Sequence, residues 1–445
     1  MDYLPFEILA KIMLTGAFSF DDHEYKKLIK YRIILSSVSA RWRQIAVSTG
    51  SLWSIITVDI ENKTVDGNAP LQGVLSILQL HLLRSGNTQL DFALLIGAEP
   101  SADSALGEEA VWKLVKPEMY RVRTFEIYGF AMADCILPLD DQYPSLRTFS
   151  LNPPIWCFLE DESTIFTTTA TAPNPTSLQL TAMSFSVLQN IPQTNLTSLI
   201  MLYWDLSWSI VQNFLLECSK LEKCTLRGRI VESDTTYFPV LLPRVAFLDV
   251  EDPLLFDWIS APSLEWLVCY HHASNLADTH TRHNEPMNSE SVAQFKLRSL
   301  ELNIGLPRGF EFAQLLTRAA LPFWETAFEN VTTLVVRNSD NIIPLIIYLA
   351  DLIHTYPDTE GPSITESQDF GRPRLLPSLQ SLEIDNCNEM DTEDPTYNPI
   401  AGHLVYLLNV RPSLILTCDP GLLPDMEDMA PASKARIFLK ESWNR

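Results

Sequence analysis

Beyond residue 60 a short apolar motif recurs, with apolar side chains at i, i+3 and i+5. Its clearest copies are Leu146-x-x-Phe149-x-Leu151, Leu221-x-x-Cys224-x-Leu226, Val245-x-x-Leu248-x-Val250, Leu264-x-x-Leu267-x-Cys269, Leu297-x-x-Leu300-x-Leu302, Val331-x-x-Leu334-x-Val336 and Leu379-x-x-Leu382-x-Ile384. Val122-x-x-Phe125-x-Ile127 is an earlier copy, and Leu196-x-x-Leu199 opens a degenerate one. The last two apolar positions are two residues apart, the period of a β-strand, so both face one side. A single such strand buries too little to fold alone, whereas stacked neighbours share a continuous core. The stretches Ser209 to Cys218, Phe312 to Phe328 and Ile342 to His354 are amphipathic with helical spacing. The expectation is therefore α/β, built as an irregular solenoid. A mixed α/β globule with Leu-rich strands is the other reading of the same pattern. Irregularity shows in the starts of successive copies from residue 196, which are 25, 24, 19, 33, 34 and 48 residues apart. It shows again in polar inserts at 160–177, 270–291, 355–373 and 392–399, which carry turn and loop signals.

Charge and glycine usage narrow the function. With 32 basic and 55 acidic residues the formal net charge is -23, the wrong sign for a surface that grips a nucleic-acid backbone. Only 15 residues are glycine, and neither a G-x-G-x-x-G nor a G-x-x-x-x-G-K-[ST] phosphate loop occurs. There is no G-x-S-x-G nucleophile elbow, and chance pairs among so many carboxylates define no general acid and base. No catalytic residue and no cofactor is expected. The one dense set of metal-type ligands is Cys269, His271, His272, His280 and His283. It lacks a second C-x-x-C pair and the H-E-x-x-H pattern, so a histidine-rich loop is expected there and no metal site. Seven scattered cysteines without C-x-x-C argue against a disulfide framework. The longest apolar run, Ile342 to Ile353, contains Asp351 and is far short of the about 20 residues a membrane helix needs. No basic segment leads into an apolar core at the N-terminus, so no signal peptide is expected. A cytoplasmic or nuclear location, with no membrane partner, fits these features.

The first sixty residues differ from the rest. They hold seven basic and six acidic residues, leaving 25 basic and 49 acidic to the remainder. Leu4-Pro5-x-Glu7-Ile8-Leu9-x-x-Ile12-Met13 reads as a helix that starts at a proline. A polar connection, Asp21 to Lys27, leads to a second helix through Ile34, Val38, Trp42 and Ile45. Ser48-Thr49-Gly50-Ser51 breaks it, and Leu52-Trp53 opens a segment that becomes the strand-like Ile56, Val58, Ile60. So small a helical unit makes a weak core by itself and needs a partner or a neighbouring domain. An ordinary helical cap on the larger domain would meet that need.

The run Leu4-Pro5-x-Glu7-Ile8-Leu9-x-x-Ile12, then Val38-Ser39-x-x-Trp42-Arg43-x-Ile45-Ala46, then Ser51-Leu52-Trp53, resembles an F-box. It is most similar to the F-boxes of large fungal families, although the connection from Thr15 to Ile33 is longer than in many of them. The recurring motif beyond residue 60 resembles the strand segment of leucine-rich repeats, with the usual asparagine after the strand mostly missing. The F-box resemblance implies docking on a Skp-type adaptor, and through it on a cullin–RING ubiquitin ligase of the SCF type. The implied contact residues are Leu4, Pro5, Ile8, Leu9 and Ile12, with Leu35, Val38, Leu52 and Trp53 nearby; Trp42 and Ile45 fit the internal core equally well. The expected organisation is an F-box over 1–57, a leucine-rich-repeat-like domain binding an unidentified target protein over 58–424, and a tail over 425–445. The tail reads as a short helix on the last repeat or as a docking peptide. Two other classes remain beside this one: an interaction scaffold outside any ligase, and a metal-dependent enzyme built on the histidine cluster.

Overall fold

The computed structural model describes residues 4–19, 25–60, 70–96, 102–129, 144–152, 175–181, 193–230, 240–251, 255–272, 297–305, 330–337, 346, 349, 376, 378–385, 404, 406–409, 411–418 and 437–439. The chain forms two compact units, Met1–Lys220 with Ile230–Ser233, and Leu221–Arg229 with Asp234–Arg445. Both are α/β, and both are organised on parallel strands.

The first unit opens with three helices, α1 (Phe6–Ala17), α2 (Tyr25–Val38) and α3 (Ala40–Ser48), and a 3-10 turn at Gly50–Trp53. Pro5 sits just ahead of α1 in extended backbone, and its carbonyl accepts from the Leu9 N–H at 3.2 Å. One helix was expected through Ile34, Val38, Trp42 and Ile45. The chain instead breaks at Ser39, which takes an extended conformation and caps α3 by accepting from the Trp42 N–H at 3.2 Å. Serine competes for backbone donors and so favours this role over a helix interior. Leu9, Met13 and Ala17 of α1 meet Leu28 and Leu35 of α2, Ile45 and Ala46 of α3, and Leu52 and Trp53 of the turn in one core. The Arg41 guanidinium donates to the Leu4 carbonyl and ties the start of the chain to α3.

Strands β1 (Ile55–Asp59), β2 (Leu90–Leu95), β3 (Val122–Tyr128), β4 (Thr148–Asn152), β5 (Ser177–Thr181) and β6 (Ser198–Leu206) follow, with helices α4 (Pro70–Ser85), α5 (Ala102–Val115) and α6 (Trp208–Glu217). Each strand from β1 to β6 pairs in parallel with the next in sequence. The register places Ile56, Phe92, Phe125, Phe149, Leu178 and Leu199 side by side, and all are buried. Three of these rings stack, Phe92 on Phe125 at 5.8 Å and Phe125 on Phe149 at 6.0 Å between centroids. Such offset aromatic pairs add to simple burial.

The second unit carries β7 (Lys223–Ile230), a short parallel pair of β8 (Val240–Leu241) with β10 (Ile259–Ser260), and β9 (Phe247–Val250). It continues with β11 (Trp266–His272), β12 (Ser299–Gly305), β13 (Thr333–Arg337), β14 (Ser381–Asp385), β15 (Ile415–Cys418) and β16 (Ile437–Leu439). The ladder β7-β9-β11-β12-β13-β14-β15-β16 is again parallel throughout. Cys224, Leu248, Leu267, Leu300, Leu334, Leu382 and Leu416 form one buried row across it. The residue after each motif's first position repeats a backbone device. The carbonyls of Glu222, Ala246, Glu265, Arg298 and Thr332 each accept two consecutive N–H groups from the next strand's start. These bonds satisfy backbone groups that would otherwise be orphaned where each strand begins.

Every copy of the motif therefore lies on a strand. The expected helix Ser209 to Cys218 is α6, one residue offset at each end. Phe312 to Phe328 lies outside the described residues, and of Ile342 to His354 only Ile346 and Leu349 are described, both helical and buried. The inserts at 355–373 and 392–399 also lie outside. Within 425–445, Ile437–Leu439 is a strand paired with β15, where a helix or a docking peptide was expected. Among the described residues no helix is long and apolar enough to cross a membrane.

Candidate functional site

The apolar residues of α1 fall on two sides of the helix. Leu9, Met13 and Ala17, four apart, form the stripe that enters the core. Ile8 and Ile12, also four apart, lie on a different side and stay exposed at 44% and 48%, with Pro5 and Phe6 exposed as well. On α2 the core takes Leu28 and Leu35 while Ile33, Ile34 and Val38 stand exposed, Val38 at 56%. Both helices thus expose β-branched side chains to solvent, and exposed apolar side chains that gather into one patch mark protein interaction sites.

The nine residues expected at an adaptor contact thus separate into two sets. Pro5, Ile8, Ile12 and Val38 are exposed, and Leu4 is half-buried against the core. Leu9, Leu35, Leu52 and Trp53 are closed inside the helical core. Those four hold the exposed set in place instead of forming the surface. Phe6 and Ile33 were not singled out from the sequence, and Ile34 was read only as part of a helix's apolar face; all three are exposed. Ile45 is buried and Trp42 packs partly buried against the same core.

Trp53 anchors the helices to the first strand. Its indole N–H donates to the Ala46 carbonyl at 2.6 Å. The buried Arg32 of α2 donates to the Ile55 carbonyl of β1 at 2.8 Å and lies 5.9 Å from the Trp53 ring. Arg84 of α4 stacks on the same ring at 4.3 Å, and His81 meets it edge-on at 5.4 Å. Cations over an indole are attracted by its quadrupole. Burial lowers the Arg32 pKa to about 10. Burial, with the charges of Arg32 and Arg84 beside it, pushes His81 down to about 3, so it is a neutral ring at physiological pH. Gly50 is required at this junction: a Cβ there would lie 2.6 Å from Thr88 Oγ1 and 2.8 Å from the Ser85 carbonyl oxygen.

The second surface is the face of the parallel strands opposite the buried rows. In the first unit it is mixed: Arg123 pairs with Asp91 at 2.5 Å and Tyr128 Oη donates to Glu126 at 3.0 Å, beside neutral side chains. Asn152 Oδ1 accepts from Thr181 Oγ1 at 2.7 Å and from Gln179 Nε2 at 3.1 Å, while Asn152 Nδ2 donates to Ser150 Oγ at 2.7 Å. In the second unit it is charged. Arg227 forms a forked pair with Asp249, its shortest contact 2.7 Å. Arg337 Nη1 donates to Asp385 at 2.9 Å, and its Nε lies 2.8 Å from Glu301 in an ionic contact without hydrogen-bond geometry.

Cys269 lies in β11, registered between the buried Val250 of β9 and Leu302 of β12. Burial, with the charge of Asp249 added, raises its thiol pKa well above the ordinary value, which opposes the thiolate a metal needs. His271 and His272 end the same strand, and His280 and His283 lie outside the described residues. Among the described residues no group of three or more His, Cys, Asp or Glu side chains is arranged to hold a metal ion. Compared with known proteins, the chain matches no protein-family model and no curated sequence.

Proposed function

We propose that the chain is the substrate-receptor subunit of an SCF-type cullin–RING ubiquitin ligase. In this reading residues 1–57 are an F-box that docks on a Skp-type adaptor and through it on a cullin. The parallel strands are a leucine-rich-repeat-like solenoid that holds a target protein, in the cytoplasm or nucleus. The chain contributes no catalytic group. It raises the effective concentration of target lysines near a ubiquitin-conjugating enzyme.

The observation that carries the reading is the division of the Leu-Pro-x-Glu-Ile-Leu helix. Leu9 enters a core that Leu35, Leu52 and Trp53 complete, while Ile8 and Ile12 stay exposed outside the core that the described residues form. Covering an aliphatic side chain is worth about 1.5–3 kcal/mol, so Ile8, Ile12, Ile34 and Val38 suffice for a firm contact. Supporting the solenoid is the strand order, in which successive strands are neighbours and the motif's buried positions stay in register.

The test is co-purification of the full chain with the adaptor, scored by mass. A 1:1 complex is expected, and Ile8→Asp with Ile12→Asp should abolish it without lowering the melting temperature, because both side chains are already in water. Normal adaptor binding by that variant would remove the assigned face. Adaptor binding without cullin association would point to the scaffold alternative.

A further inference from the structure

One helix of the first unit turns an apolar stripe outward. On α4 the side carrying Leu78, His81, Leu82 and Ser85 is buried. The opposite side carries Gly73, Ser76, Leu80 and Leu83, with Ile77 on its flank, and all five are exposed. Spacings of three and four residues keep them on one face. Leu83 is 78% exposed, the most of any large apolar side chain among the described residues. A Cβ on Gly73 would meet nothing outside its own helix within 4 Å, so that end of the face is open. The stripe also lacks charge. From Leu71 to Leu83 α4 holds no Asp, Glu, Lys or Arg, in a chain whose net charge is -23.

We propose that this face pairs antiparallel with the same face of a second copy of the chain. Its residues have the symmetry that such a self-complementary contact requires. A two-fold axis at the level of residue 78 sets Leu80 beside Ser76 of the other copy, and Leu83 beside Gly73 of the other copy. Each protruding leucine thus meets a small residue, on both sides of the axis. A parallel pair would set Leu83 against Leu83 and Gly73 against Gly73, a clash at one end and a gap at the other, where packed interfaces leave neither. Charge selects the same occupant. Two copies so strongly negative repel each other, and they can close only over a patch free of carboxylates, which α4 provides. A basic partner finds no carboxylate along the stripe, and an acidic one no cation. From Gly73 to Leu83 the stripe is about 15 Å long. One helix face of that length is smaller than the about 800 Å² per partner of a firm complex, so the dimer is weak, with a Kd of about 10–100 µM. The proposal goes beyond the receptor reading and does not rest on it.

The experiment is sedimentation equilibrium of the full chain from about 1 to 300 µM. Monomer is expected at the low end and dimer at the high end, and added salt should tighten the dimer by screening the repulsion between copies. Leu80→Glu with Leu83→Glu should weaken it at least about tenfold. Gly73→Leu fills the space that receives Leu83 and should do the same, although it suits the helix better and so raises the melting temperature of the dilute monomer. A lost dimer is then not a sign of unfolding. Leu83→Ala alone should also weaken the dimer, whereas Gly73→Leu with Leu83→Ala should bind more tightly than either single variant, because protrusion and space have changed places. Ile8→Asp with Ile12→Asp should leave the dimer intact. A monomer at every concentration, a dimer that salt weakens, a dimer indifferent to the α4 variants, or a double variant no tighter than the single ones would overturn the proposal. Loss of the dimer in the Ile8 and Ile12 variant would give the contact to α1. Amide protection of α4 that follows the adaptor and not the chain's own concentration would give the face to the adaptor. Either result would overturn it too.

Discussion

Trp53 meets two arginines, a histidine and a backbone carbonyl that come from three different elements, α2, α4 and α3. No carboxylate is among these contacts, so the indole is the attractive element between them. His81 follows from this setting. Its pKa lies near 3 in the folded chain and near 6.5 in the unfolded one. Above about pH 6.5 both states hold it neutral and it costs nothing. Between about 6.5 and 3 only the unfolded state takes up the proton, so stability is lost as pH falls, by up to about 1.4 kcal/mol for each pH unit. Denaturation of the wild type at pH 7 and pH 5 should show that loss, and His81→Phe should shrink it. An identical pH response in the two proteins would mean that His81 does not titrate as its surroundings imply.

At the scale of the element, Ser39 decides whether α2 and α3 are one helix or two. Its Oγ satisfies an N–H that α3 leaves open, and replacing such a cap costs about 0.5–2 kcal/mol. Ser39→Ala should lower the melting temperature of the chain, while Ser37→Ala, exposed on α2, should not; equal effects would sink the capping role. The sequence shows Ser39 three residues ahead of Trp42, but apolar periodicity runs through it, and periodicity alone joins the two helices. The strands were more legible, because the i, i+3, i+5 spacing couples a fixed inward pair to a fixed lead. Where the lead moves, the pattern is lost. In β2 the place three before Phe92 is the exposed Gln89, in β5 it is Pro175, and in β15 the lead is Leu414, one residue late. On α1 the sequence marks Ile8, Leu9, Ile12 and Met13 as apolar without saying which stripe is core, since that depends on where α2 and α3 pack. The ion pair of Arg337 with Asp385 is further from reach, because the two become neighbours only through the register of β13 with β14.

For the whole molecule, the consequence of the topology is that interactions reach one strand at a time. Among the described residues each ladder strand pairs with the strands next to it in the order, so the paired contacts seen there are shared between adjacent layers. Stability in such an arrangement is close to a sum of layer and nearest-neighbour terms, and local opening follows those layers. Leu334 of β13 tests this. It is fully buried, registered between Leu300 of β12 and Leu382 of β14. Leu334→Ala removes a core side chain and leaves a cavity, worth about 2–5 kcal/mol. Amide exchange should then accelerate in β13 and in the two strands beside it, while β1 to β5 keep the protection they have in the wild type. If protection instead falls evenly from β1 to β15, the loss is being distributed through one cooperative core. The layered account of these strands, and with it the solenoid reading of the target-binding domain, would then be wrong.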